Sequence, residues 1–520
     1  MISCSPISSP GQAAKYYERD DYYARSEVVS EWYGRGAQPL GLSGAVDHND
    51  FAAVLEGRLS TGDVLGRINA EGQVEHKCGY DVTFSAPKSI SLAALAGGDQ
   101  RLIEAHTESV KTTLDWLEQE AAVTRVKIHG QTYQEHTGNF TVAMFRHETS
   151  RAQDPQLHTH AIIANATLRA DGQWRSIEGR EVLRLQKEAT RFYQNELAVR
   201  AQALGYEVAL DRQKGRMELA AVPQEIRDAF SNRSAAIEDR LAALGKTRET
   251  ASAREREQAC LLTRDAKIQA DPAQLRQEWQ SRAEALGFDP QRAVSESRER
   301  VAVLARQPVS DRQAVVDQAL KSAVDHLAER SASFRAADLH QAMNVQFFGE
   351  FPRSEIDQAV DRFRSQGELI DKPVATLWNS HQREAGFTTP QGQEIERQML
   401  AAADRGRGAF QEGIAGPDQA RAAIALAEST IPWNDQQRQA AEGILTSKDR
   451  FVVVQGIAGS AKTTTVLRTV SRMAELNGYE VRGLAPSAAA SHVLEDGAHV
   501  KSQTVHSFLG QLRQAQAQGQ

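Results

Sequence analysis

Leu157-His158-Thr159-His160-Ala161-Ile162-Ile163-Ala164 is the stretch that decides how the first part of this chain folds. Its apolar half, Ala161 to Ala164, predicts a buried strand. Alternate residues of a strand share a face, so His158 and His160 converge on one point above the sheet. The preceding run, Thr141-Val142-Ala143-Met144-Phe145-Arg146-His147, predicts a neighbouring strand. A hairpin through residues 149–156 then brings His147 beside the other two. Three histidines on one face can bind a divalent ion and leave coordination positions open, as catalytic centres require. Working outward, residues 2–7, 80–85 and 127–133 also read as strands, and residues 99–121 as a helix. Successive strands with short connections predict an antiparallel sheet rather than a βαβ array.

Tyr16-Tyr17 and Tyr22-Tyr23 place four of the ten tyrosines inside eight residues. A phenol, with an ordinary pKa near 10, suits an enzyme that holds a phosphoryl group covalently and later releases it. Ser9-Pro10 reads as a helix start, with Ser as cap and Pro at the first turn. Asp20-Asp21 is expected to loosen that helix before the second doublet. Asp81 fits a carboxylate that accepts the second N–H of a metal-bound imidazole. The same carboxylate could help deprotonate a tyrosine.

The composition limits the alternatives. Charged residues make up 25% and hydrophobic residues 41%, and the net charge is only −7. Such a balance gives no global attraction to nucleic acid, so a DNA site must be a local basic surface. Lys88, Arg146, Arg151, Arg169 and Arg175 are the candidates, with Trp174 for base stacking. The three cysteines lie far apart, which fits a reducing compartment with no disulfide framework. No signal peptide and no membrane span are read, so a cytoplasmic location is expected.

Tyr16-Tyr17 with Tyr22-Tyr23, then residues 81–89 (Asp-Val-Thr-Phe-Ser-Ala-Pro-Lys-Ser), Phe145-Arg146-His147-Glu148 and His158-Thr159-His160 resemble the MobF conjugative relaxases of TrwC/TraI type. That family lies in the HUH endonuclease superfamily. The resemblance covers roughly residues 1–290 and implies strand-specific nicking of DNA at a transfer origin. It implies that Tyr16 and Tyr22 do the chemistry, that His147, His158 and His160 hold the metal, and that Asp81 is the acidic partner. The expected metal is Mg²⁺ or Mn²⁺, with Zn²⁺ and Ni²⁺ as alternatives for histidine ligands. The expected product is a free 3′-OH and a 5′-phosphotyrosyl DNA, rejoined without ATP. Accessory relaxosome proteins and a type IV secretion coupling protein are the partners that the resemblance implies, besides single-stranded origin DNA. Two rival readings are a non-catalytic, origin-binding regulator and an HUH replication initiator or transposase.

The rest of the chain reads as two further parts. Residues 296–385 show helix–helix–helix and a short strand near residues 367–371, a winged-helix-like order. From residue 386, Phe451-Val452-Val453-Val454-Gln455 predicts a buried strand leading into Gly456-Ile457-Ala458-Gly459-Ser460-Ala461-Lys462-Thr463, a phosphate-binding loop. Lys462 would reach the terminal phosphates and Thr463 would bind Mg²⁺, with ATP the expected ligand. Ala461 stands where the pattern has its second glycine. Gln437 resembles the adenine reader of superfamily-one helicases. Only 57 residues follow Thr463 in a chain of 520, too few for two RecA-like lobes. A truncated first lobe without helicase activity is therefore expected, in a fragment or a short gene product. The reading as a whole is α+β: a relaxase domain at 1–295, a linking region at 296–385 and the start of an α/β lobe at 386–520.

Overall fold

The computed structural model describes residues 1–7, 29–68, 74–128, 130–263, 271–304, 311–375, 383–457 and 459–517. The chain divides into two compact units, residues 1–390 and 391–520.

The first unit is built on five strands: β1 (Ile2–Ile7), β2 (Val29–Tyr33), β3 (Gly79–Ser85), β4 (Val142–Thr149) and β5 (Pro155–Ala164). Their order across the sheet is β1-β3-β5-β4-β2, and every pairing is antiparallel. In the first half of β5 burial alternates residue by residue, and from Ala161 onward it becomes continuous. The cause is two cores. Leu157, Ala161 and Ile163 pack on one face under helices α1 (Gln100–Ala121) and α2 (Gln186–Ala203). Ile162 and Ala164 pack on the other face, in a smaller core with Trp32, Phe51, Ala143, Phe145 and Trp174. That second core covers only one end of its face, and the histidines occupy the remainder. Phe51, from the helix His48–Leu55, meets Phe145 edge-on at 5.2 Å, beside the histidines.

α1 begins where the Asp99 side chain accepts from the Arg101 backbone N–H. Its buried stripe runs through Leu102, Ile103, His106, Val110, Leu114 and Leu117, the spacing of one helix face. His106 is fully buried and joins Tyr193 Oη at 2.7 Å and Thr159 Oγ1 at 2.8 Å. Thr159 stands between His158 and His160 but points to the opposite face. The His106 pair of bonds therefore ties the histidine strand to both helices from behind.

The hairpin between β4 and β5 is gripped by later parts of the chain. Asn232 donates to Asp154 through its backbone and side chain, at 2.9 and 3.0 Å. Trp279 Nε1, on α3 (Pro272–Ala285), donates to the Gln153 carbonyl at 2.8 Å. Gln153 itself sits at φ 58°, a left-handed conformation unusual for a residue with a Cβ.

The helical order expected for 296–385 is present as α4 (Arg312–Ala328), α5 (Ala336–Gln346) and α6 (Arg353–Ser365), with a three-stranded sheet of residues 334–335, 386–388 and 370–371. This module docks on α2. Buried Asn195 donates to the Phe351 carbonyl at 2.9 Å and accepts from the Gly349 N–H at 2.7 Å. Glu196 accepts from the Arg353 N–H at 2.7 Å. Residues 311–388 thus share a unit with the sheet, and the division between units falls after Pro390.

In the second unit, helices Pro417–Glu428, Asp435–Thr446 and Arg468–Leu476 pack around a small core of Ala420, Ile424, Trp433, Leu445 and Val470. The strand expected at 451–455 is not formed. Residues 451–457 carry no strand pairing, and Val453 is 93% exposed. A strand is defined by neighbours that pair with it. Among the described residues the unit offers only the parallel pair Gly483–Ala485 and Ser502–Thr504, which pair with each other.

Burial holds the His106 imidazole down to about 3, from an ordinary 6.5. The unfolded chain therefore takes up a proton that the folded chain refuses. The His106 contribution is fully present above pH 6.5 and is lost as pH falls toward 3, at up to about 1.4 kcal/mol per pH unit. His106→Gln is expected to flatten the dependence of the urea midpoint between pH 7.5 and 5. An unchanged slope would contradict this burial of a neutral ring.

Candidate metal centre

His147, His158 and His160 meet because strand parity and hairpin register agree. His147 pairs directly with His158, and Phe145 with His160, across β4 and β5. One ring nitrogen of each histidine lies within 4.8 Å of the others. Ring centroids are 5.2 to 5.3 Å apart, and the rings are steeply tilted to one another.

Each ring is oriented from behind. His160 Nδ1 lies 2.9 and 3.0 Å from the two Asp81 oxygens. His158 Nδ1 lies 2.9 Å from the Gln156 carbonyl. A carbonyl and a carboxylate only accept, so both Nδ1 atoms carry the hydrogen and both Nε2 atoms keep a lone pair. Asp81 is itself fixed by the Thr83 hydroxyl, which donates at 2.9 Å. His147 Nε2 is buried with no hydrogen-bond partner among the described residues. Burial and the neighbouring rings push His147 well below its ordinary value and His158 to about 4. His147 and His158 thus stay neutral at neutral pH, and the three rings converge with the buried His147 Nε2 unpartnered among the described residues. That set fits a divalent cation.

The structure sorts the other residues read from the sequence. Tyr16, Tyr17, Tyr22 and Tyr23, with the helix start at Ser9-Pro10, lie outside the described residues. Asp81 is engaged by His160 and Thr83, an orienting role. Trp174 is no stacking platform: it is 3% exposed, within the second core. Arg146 points away from the histidines, because it pairs with Thr159 on the helix-covered face. Lys88 is turned inward onto the Pro155 carbonyl at 2.8 Å, and burial lowers it to about 8. Arg169 is claimed by Glu135 at 2.9 Å and by Asp171. Arg175 is exposed, and Arg151 is half-buried in the turn beyond His147.

In the second unit Lys462 folds back on its loop, donating to the Gly456 and Ile457 carbonyls at 2.6 and 2.7 Å. Gly459 and Ala461 both have positive φ, 79° and 55°. Ala461 therefore adopts the left-handed conformation that a glycine takes without cost. Gln437 is occupied at both ends of its amide. It accepts from the Asn434 N–H at 2.9 Å and donates to the Ser460 carbonyl at 3.0 Å. Thr463 opens the following helical segment.

Two contributors escaped the sequence reading. Thr83 lies two residues beyond Asp81 on the same strand face, and that spacing was the available signal. His106 sits on an ordinary apolar helix stripe, and nothing local marks its bond to Thr159.

Known proteins match this arrangement. The sequence profile of the TrwC relaxase family matches residues 10–286, and that of an AAA domain matches residues 432–520. The multifunctional conjugation protein TraI of Escherichia coli is 32% identical over 510 residues, covering 93% of this chain. The chain spans 27% of that relative's length. The conjugative relaxase TrwC in complex with oriT DNA, in a metal-bound structure, superposes with a TM-score of 0.52 at 40% identity. That structure covers 56% of this chain and is itself covered completely. A copper-bound structure of the same complex gives 0.52 at 41%, with the same coverage.

Asp81→Asn retains size but weakens the acceptor that fixes His160. Divalent-metal affinity, measured by titration calorimetry, is expected to fall about 10- to 100-fold. Wild-type affinity in this variant would show that Asp81 does not orient the ring.

Proposed function

The chain belongs to the TrwC relaxase family, and on that premise we propose that it nicks and rejoins one strand of origin-of-transfer DNA by transesterification on tyrosine. The observation that carries the reading is the triad of converging imidazoles, with a buried Nε2 on His147 unpartnered among the described residues and a carboxylate behind His160. The solved TrwC structures that resemble this chain were obtained with oriT DNA, two of them with metal bound, one of these with copper.

His147, His158 and His160 would hold the divalent cation, Mg²⁺ or Mn²⁺ in the first instance. When bound, it supplies positive charge against the scissile phosphate. Asp81 and Gln156 keep the rings turned so that their free nitrogens face one point. Tyr16 attacks phosphorus through its phenolic oxygen. A P–O bond to Tyr16 forms, the P–O3′ bond breaks, and the leaving oxygen ends as a 3′-OH carrying a proton. The phosphodiester character is retained, so a free 3′-OH reverses the step without ATP.

The short lengths of chain between the doublets and the sheet support this reading. Tyr16 follows the end of β1 by nine residues, and Tyr22 precedes the start of β2 by seven. Nine residues span at most about 30 Å. β1 and β2 are the two edge strands of the sheet. Tyr22 is proposed as the second nucleophile, acting while Tyr16 still holds DNA, with Tyr17 and Tyr23 as their neighbours. Arg151 and Arg175 remain as phosphate contacts. Accessory relaxosome proteins, a secretion coupling protein and a cytoplasmic location belong to the same proposal. The 1–295, 296–385 and 386–520 division is proposed as the functional one, with the second unit binding ATP through Lys462 and Thr463.

Tyr16→Phe, incubated with cognate single-stranded origin DNA and Mn²⁺, should give no covalent adduct on a denaturing gel. A full-yield adduct would sink the assignment, and binding without adduct by the wild type would select an origin-binding regulator. For the second unit, Lys462→Ala should abolish binding of a fluorescent ATP analogue. Undiminished binding would remove the phosphate-loop role.

A further inference from the structure

A cavity of 290 Å³ opens between α1, α2 and α5, and α1 and α2 cover the face of the sheet opposite the histidines. Two of its lining groups are polar side chains on α2 and α5. Asn344 is only 7% exposed and lines the cavity. Glu188 Oε2 is buried with no hydrogen-bond partner. A buried acceptor left without a donor is unfavourable, so a ligand that pairs the Glu188 oxygen binds with that advantage. Trp116 and Phe192, nearly buried and stacked on one another at 5.4 Å and 13°, add apolar lining to the same space. Lys187 lies exposed at its rim.

The complement of this set is specific. The Glu188 carboxylate calls for N–H donors, the amide for one donor and one acceptor, the apolar lining for an apolar edge, and Lys187, with Arg184, Arg191 and Arg335 also lining the cavity beside Glu120, for an anion. A cavity near 300 Å³ is at the lower end for a small-molecule site. We propose that this cavity binds a single nucleotide, with the base edge on Glu188 and Asn344 and the phosphate toward Lys187. Guanine fits best, since its pairing edge carries two adjacent N–H donors for one carboxylate and an O6 acceptor for the amide. The nucleotide comes either free or as one residue of a bound DNA strand, and both present the same base and phosphate. The cavity shares no residue with the metal centre, so the inference stands or falls apart from the nicking reading.

The test uses the whole chain in EDTA, which removes the metal centre from the measurement. Titration calorimetry is run with dGMP, and with a short oligo-dT strand with and without one dG. Asn344→Ala and Glu188→Gln are each expected to weaken dGMP binding at least about tenfold, with the thermal midpoint unchanged. Lys187→Ala, at the exposed rim where folding is not at stake, should weaken it as well. If dGMP does not bind but the variants erase a preference for the dG-bearing strand, the site takes a strand nucleotide. The proposal is overturned if wild type shows neither binding nor preference, or if all three variants keep affinities within twofold.

Discussion

The strand β5 has to satisfy two different surroundings at once, and the rest of the first unit follows from how it does so. On one face Leu157, Thr159, Ala161 and Ile163 are locked under helices. On the other, His158 and His160 stay half-exposed until Ile162 and Ala164 close the second core. Strand alternation makes this division possible, and antiparallel register extends it to His147 and Asp81. Thr159 is the pivot. Its bond to His106 anchors, from behind, the peptide between the rings of His158 and His160. A slip of one residue would exchange the faces, burying imidazoles under α1 and exposing Leu157.

Much of the centre was legible because it depends on local rules. The His158-Thr159-His160 spacing needs only a period of two, and His147 needs only a hairpin between neighbouring strands. The same parity also sends Arg146, one residue before His147, to the reverse face, a signal present in the sequence that charge alone obscured. Lys88 and Trp174 were not legible in that way. Whether a lysine meets solvent or a backbone carbonyl, and whether a tryptophan is a platform or core, is decided by segments distant in the chain. His106 is a similar case, because its partners Thr159 and Tyr193 lie 53 and 87 residues away.

The second unit gives the contrasting lesson. Residues 451–455 have the composition of a buried strand, yet hydrophobicity favours a strand only where neighbours supply hydrogen bonds and cover its faces. Gly459 and Ala461, which follow, are nevertheless both left-handed, because backbone geometry of that kind is set within a few residues. Gln437 helps to hold this segment through Ser460. Local motifs can therefore form where the sheet expected to carry them does not.

The account rests on three imidazoles acting as one ligand set. Pulsed electron paramagnetic resonance of Mn²⁺ added to the whole chain reads this directly. One Mn²⁺ per chain with couplings to three histidine nitrogens, lost together in His147→Ala, is the predicted result. Mn²⁺ that binds without nitrogen coupling, or couplings unaffected by His147→Ala, would contradict it.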